Sequence, residues 1–128
     1  MAKPAVDLEL KKAFLELQSK MSETSKKIQV IDSQLGVLKK VTQHVDITQR
    51  EISSLPAETK TYESVGRMFL LTDLSEVKDN LSKRESQLKS RTTELESSKQ
   101  YLEKSLKESE NNIREMVQQR KEQSDTKI

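Results

Sequence analysis

Glu58-Thr-Lys-Thr-Tyr-Glu-Ser-Val-Gly-Arg-Met-Phe-Leu-Leu-Thr-Asp73 is the one stretch of this 128-residue chain that departs from the pattern of a long polar helix. Tyr62, Val65, Met68, Phe69, Leu70 and Leu71 crowd around Gly66. β-Branched and aromatic residues on both sides of a glycine predict a β-hairpin, Thr59–Val65 and Met68–Thr72, turning at Gly66–Arg67. Pro56 stops what precedes it, because it has no N–H to donate and disfavours helical backbone at Leu55. Asp73 restarts a helix as its N-cap, and Glu76 stands where it completes a capping box. A lone two-stranded hairpin is marginal in water and carries two unpaired edges. Residues 58–72 are therefore expected to pair with hairpins of other chains, with Tyr62, Val65, Gly66, Met68, Phe69, Leu70 and Leu71 as the assembly element.

On the N-terminal side, residues 6–55 read as a first coiled-coil arm. Leu10, Phe14, Leu17, Met21, Thr24, Ile28, Ile31, Leu35, Leu38, Thr42 and Val45 recur in steps of four and three. Nine of these eleven positions are apolar, a register that an ordinary amphipathic helix seldom holds so long. The phase continues to Ile52. Thr48 and Glu51 form a second capping-box pattern, which predicts a joint near His44–Asp46. Gly36, beside the seam, costs roughly 1 kcal/mol relative to alanine.

On the C-terminal side, residues 73–121 read as a second arm. Val77, Leu81, Leu88, Leu95 and Leu102 mark its seam, followed by Leu106, Ile113, Met116 and Val117. The companion positions are expected at Arg84, Arg91, Ser98 and Ser105, which makes this seam thin and dependent on the first arm. Glu85–Lys89, Glu103–Lys107 and Glu110–Arg114 have the spacing of helix-surface ion pairs. The arms are nearly equal, so folding back at the hairpin sets residue i opposite roughly residue 129 − i. Each arm would be roughly 70–75 Å long at 1.5 Å per residue, giving a rod with both termini at one end. There Val6, Leu8, Leu10, Phe14, Ile113, Met116 and Val117 are more apolar groups than two helix ends can bury. They are the candidate surface for loose binding of other apolar chains. Residues 122–128 are expected to be a disordered tail.

Composition narrows the function. With 32% hydrophobic and 34% charged residues the chain is too polar for a compact core, and two glycines and two prolines favour helix over disorder. Residues 6–55 hold eight basic and seven acidic side chains, and residues 73–124 hold eleven of each. No block is basic enough for nucleic acid, and the segment ahead of the leucine repeat is acidic, unlike that of a basic zipper. There is no cysteine, no glycine-rich phosphate loop and no Gly-x-Ser-x-Gly, and His44 is the single histidine. No enzyme, cofactor or metal site is expected. No apolar run reaches membrane-spanning length and no signal-peptide core opens the chain, so a cytoplasmic protein with no membrane partner is expected.

Tyr62-Glu-Ser-Val-Gly-Arg-Met-Phe-Leu-Leu71, with Val6-Asp-Leu-Glu-Leu-Lys-Lys-Ala-Phe14 before it and Tyr101-Leu-Glu103 and Asn112-Ile-Arg-Glu-Met116 after it, closely resembles the β-type prefoldin subunits. The resemblance covers nearly the whole chain, and the hairpin motif is its specific part. A single hairpin fits a β-type subunit, since α-type subunits carry two. The resemblance implies a mainly α fold: an antiparallel two-helix coiled coil joined by one hairpin that contributes to an intersubunit β-barrel. It implies a hetero-hexamer of two α-type and four β-type subunits. That complex would capture unfolded chains such as actin and tubulin at the coiled-coil tips and pass them, without ATP, to the cytosolic group II chaperonin. Gly36 and the serine-rich middle of the second arm match no family feature. A static coiled-coil tether, recruiting fixed partners, is the alternative reading.

Overall fold

The computed structural model describes the backbone of residues 4–125 and the side chains of residues 8–123. Helix α1 (Pro4–Ser53) is followed by strands β1 (Thr61–Val65) and β2 (Met68–Thr72) and by helix α2 (Leu74–Asp125). Pro4 suits the first turn of α1, where a backbone N–H has no partner anyway. All eleven four-and-three positions from Leu10 to Val45 are buried or half-buried. Thr24 is buried among them because its hydroxyl donates to the Lys20 carbonyl at 2.8 Å and so brings no unsatisfied group inside.

The joint expected near His44–Asp46 is absent: α1 is continuous through it. The stagger runs on from Val45 to Gln49 and Ile52, and all three are sheltered. With no free N–H end to cap, the Thr48 hydroxyl donates backwards to the His44 carbonyl at 2.8 Å. Gly36 also lies inside the helix, and a Cβ there would meet nothing within 4 Å. Gly36→Ala is therefore expected to raise stability by about 0.5–1 kcal/mol, read as a higher denaturant midpoint.

α1 ends through its own serines. The Ser53 and Ser54 hydroxyls donate to the Arg50 and Glu51 carbonyls, and the Leu55 N–H reaches back only three residues to Ile52. Pro56 cannot extend the ladder, and its carbonyl accepts the Thr59 N–H at 3.0 Å. That turn holds Thr59 and Lys60 out of the sheet, so β1 begins at Thr61, two residues later than the composition suggested. Antiparallel pairing runs from Thr61 opposite Thr72 to Val65 opposite Met68, leaving Gly66–Arg67 as a two-residue turn. Gly66 has φ of 62° and Arg67 does not share that sign, the signature of a type II′ turn, which needs glycine at its first corner.

Asp73 precedes α2 and acts through its main chain, accepting the Val77 N–H at 3.0 Å. Among the described residues no side-chain bond completes the expected box with Glu76. The seam of α2 also differs from expectation. Arg84, Arg91 and Ser98 are exposed, Ser105 is half-buried as expected, and the other sheltered companions of the leucines are Glu85, Thr92, Lys99 and Leu106. Two successive steps of four, Val77 to Leu81 to Glu85, move the phase on by one residue, because 3.6 residues per turn does not divide the heptad. α2 continues to Asp125, past Lys121, where a tail was expected to begin. Residues 126–128 lie outside the described residues.

The chain divides into two compact units, Ser33–Glu96 and Met1–Asp32 with Ser97–Ile128. The first holds the hairpin and the buried apolar residues Val45, Val77 and Leu95. Leu95 is the single seam leucine of its heptad, so Leu95→Ala is expected to cost about 2 kcal/mol, the low end for a core leucine because the surrounding seam is thin. Chemical denaturation followed by helicity measures it. Among the described residues of the second unit, the buried ones are the small polar Thr24 and Ser109.

Candidate functional site

The hairpin alternates its side chains between two faces, and paired residues share a face. Tyr62, Ser64, Phe69 and Leu71 form one; Thr61, Glu63, Val65, Met68, Leu70 and Thr72 form the other. Glu63 turns the second face toward α2, its Oε1 accepting from Asn80 Nδ2 at 2.8 Å. The Thr61 hydroxyl donates to the Thr72 carbonyl and closes the base of the hairpin. The first face is left open, with Phe69 73% and Leu71 64% exposed, and Val65, Met68 and Leu70 are exposed on the second. Gly66 supplies the turn that makes both faces possible. So many exposed apolar side chains on one short ribbon mark an unfinished surface.

In the other unit, where α1 begins and α2 ends, Leu8, Leu10, Phe14, Met116 and Val117 line one groove of about 420 Å³. Lys11 and Arg120 complete its rim. Leu8 is 71% exposed, whereas Leu10, Phe14 and Met116 are half-buried and form the floor. Ile113 is half-buried but does not line the groove. The side chain of Val6 lies outside the described residues.

Several seam positions are polar and paired. Gln49 Nε2 donates to Glu85 Oε2 at 3.0 Å, and Lys99 Nζ meets Asp32 Oδ1 at 2.7 Å. Mirror pairing about the hairpin would have set Gln49 opposite Asn80; the observed partner is five residues further on. Of the three expected helix-surface pairs, Glu85–Lys89 closes at 3.2 Å. Glu103 turns instead to Lys99 at 3.9 Å, and Glu110 and Arg114 form no ion pair among the described residues, as weak surface pairs permit. The Gln49 hydrogen bond first, and then Lys89, hold the Glu85 carboxyl below its ordinary pKa. A carboxyl depressed in the folded state adds stability above its unfolded pKa, and that stability is lost as pH falls through the folded value. Glu85→Gln is therefore expected to flatten the acid side of the pH–stability curve, below about pH 4.5, seen in thermal midpoints from pH 7 down to 3.

The sequence reading named Glu85 as the partner of Lys89 but missed Gln49, its second partner, and Asn80. Gln49 was within reach, since it is the next step after Val45 in the register already read. Asn80 was not, because its bond to Glu63 depends on where the hairpin folds. Among the described residues no His, Cys, Asp and Glu cluster could hold a metal, and no helix is long and apolar enough to cross a membrane.

Two long helices joined by one antiparallel hairpin define a β-type prefoldin fold. The crystal structure of the prefoldin beta subunit from Thermococcus strain KS-1 superposes with a TM-score of 0.76 over 80% of this chain and 90% of that one, at 20% identity. The sequence pattern of the prefoldin subunit family matches residues 15–120, and the chain belongs to that family of chaperone subunits. It is 46% identical over 84 residues to prefoldin subunit 1 of Danio rerio, a match covering 66% of this chain and 68% of that protein. The Homo sapiens prefoldin subunit 1 is 45% identical over the same shares, and that of Arabidopsis thaliana 36% identical over 46% of each chain.

Proposed function

We propose that this chain works as a β-type subunit of a hetero-oligomeric prefoldin, holding unfolded proteins and passing them to a cytosolic chaperonin without catalysis or ATP. Its hairpin would enter a shared β-barrel, and its helix ends would touch the client. The reading is supported above all by the open groove of Leu8, Leu10, Phe14, Met116 and Val117. A shallow apolar strip suits scattered apolar groups of an unfolded chain, and several such strips on one complex gain by effective concentration. Release then needs only a competing receptor. Actin and tubulin chains, and a hexamer of two α-type and four β-type subunits, are the client and assembly the family resemblance supports.

The test is to assemble the chain with α-type and other β-type subunits and to add chemically denatured actin, with no nucleotide present. Suppressed aggregation, relieved when chaperonin is added, is the expected result. A complex that binds folded partners but leaves denatured actin to aggregate would favour the tether reading instead.

A further inference from the structure

A second groove lies on the flank of the helix pair, within the unit formed by Met1–Asp32 and Ser97–Ile128. It measures about 730 Å³. The seam residues Ile31 and Leu102 form its half-buried floor. Val30 stands 57% exposed on one wall and Tyr101 73% exposed on the other. The hollow exists because α2 offers Ser97 and Ser98 here, whose short side chains cannot reach across to Val30.

Charge distinguishes this groove from a merely uncovered strip. Lys26 and Lys27 line it, and no carboxylate does. Elsewhere on the pair, Lys89, Arg91 and Lys99 each meet a glutamate or aspartate. Lys26 and Lys27 form no ion pair among the described residues; Glu23, four residues before Lys27 and so at pairing distance along α1, makes none with it and is outside the lining. A second copy docked here about a two-fold axis would set these ammonium groups against each other, so like charge argues against self-association.

We propose that this flank is a docking groove for an acidic amphipathic helix of a partner protein. One or two aliphatic side chains would settle between Val30 and Tyr101, and carboxylates would face Lys26 and Lys27. A third helix laid along two others is a common way to fill such a groove, with anchors one turn apart. The surface is distinct from the groove at the helix ends and does not depend on the capture role proposed for it.

The probe is a fluorescein-labelled helical peptide of about 16 residues, with leucine on one face and glutamate on the other, titrated with the full chain in anisotropy measurements. The comparison peptide keeps the leucines and replaces each glutamate by lysine. The acidic peptide is expected to bind at least roughly tenfold tighter, with an affinity that weakens as salt is raised. The double variant Lys26→Glu with Lys27→Glu should reverse the preference. Val30→Ser with Tyr101→Ser should weaken binding of the acidic peptide roughly tenfold; both side chains are exposed, so helicity is expected to be unchanged. Equal binding of the two peptides, or an unreversed preference in the charge-swapped chain, would overturn the proposal. So would a loss of binding caused by Phe14→Ser with Met116→Ser and not by the flank variants, because the peptide would then occupy the helix-end groove.

Discussion

Replacing Phe69 and Leu71 together by aspartate is expected to leave a helical chain that no longer enters a complex with other subunits. The two side chains project from the same hairpin face and make little contact with the rest of the chain, so their loss costs the isolated fold little. In an assembled barrel each would be covered, and covering a large apolar side chain contributes about 1.5–3 kcal/mol. Losing both is worth roughly two to four orders of magnitude in association, and two buried carboxylates add a desolvation penalty. Light scattering of the variant mixed with α-type and β-type subunits should show unassembled chain where the parent forms a complex of defined mass. A complex of unchanged mass would rule out this hairpin face as the assembly surface. Ser64→Ala, on the same face, removes no apolar group and is expected to assemble normally.

The fold was legible wherever periodicity was strict. The stagger from Leu10 to Val45 belongs to a helix with one sheltered face, and every one of those positions is sheltered. The hairpin was legible from the glycine and its neighbours, because a two-residue turn with a positive φ at its first corner leaves few other choices. What failed was local polar chemistry read without its partners. Thr48 and Glu51 have the spacing of a cap, but a cap requires a helix end, and packing of Val45, Gln49 and Ile52 keeps the helix intact. In α2 the leucines were correctly placed, yet the register between them slid by one residue after Leu81. Polar seam positions carry no hydrophobic signal of their own, so only the partner helix reveals that Glu85 and Lys99 turn inward. The candidate surfaces follow the same division. Leu8, Leu10, Phe14, Met116 and Val117 were visible as an excess of apolar groups near both ends of the chain. The flank groove was invisible, since it depends on which serines of α2 stand opposite Val30.

Phe14→Ser with Met116→Ser is the substitution expected to separate client capture from assembly. Both residues form the floor of the helix-end groove, in the unit that does not contain the hairpin. Each is half-buried already, so only part of its apolar surface is available to a client, worth about 1 kcal/mol apiece. For one arm, losing both amounts to roughly a thirtyfold weaker contact. In the proposed capture a complex would engage a client through several arms at once, and losing one contact would also lower the effective concentration that holds the others, so the loss in aggregation suppression should exceed roughly thirtyfold wherever this subunit is present more than once. The complex itself should keep its mass in light scattering. Phe14 and Met116 also pack against the helix ends, so fraying could weaken capture indirectly. Leu8→Ser removes that ambiguity: Leu8 is largely exposed and contributes little to the fold, and it should weaken capture on its own. Leu15→Ser makes the reciprocal control, being 54% exposed in the same stretch of α1 but outside the groove, and is expected to have no effect. Equal loss from Leu15→Ser would mean that general surface apolarity, not the groove, holds the client. Full activity of both the double variant and Leu8→Ser would place client contact elsewhere on the complex.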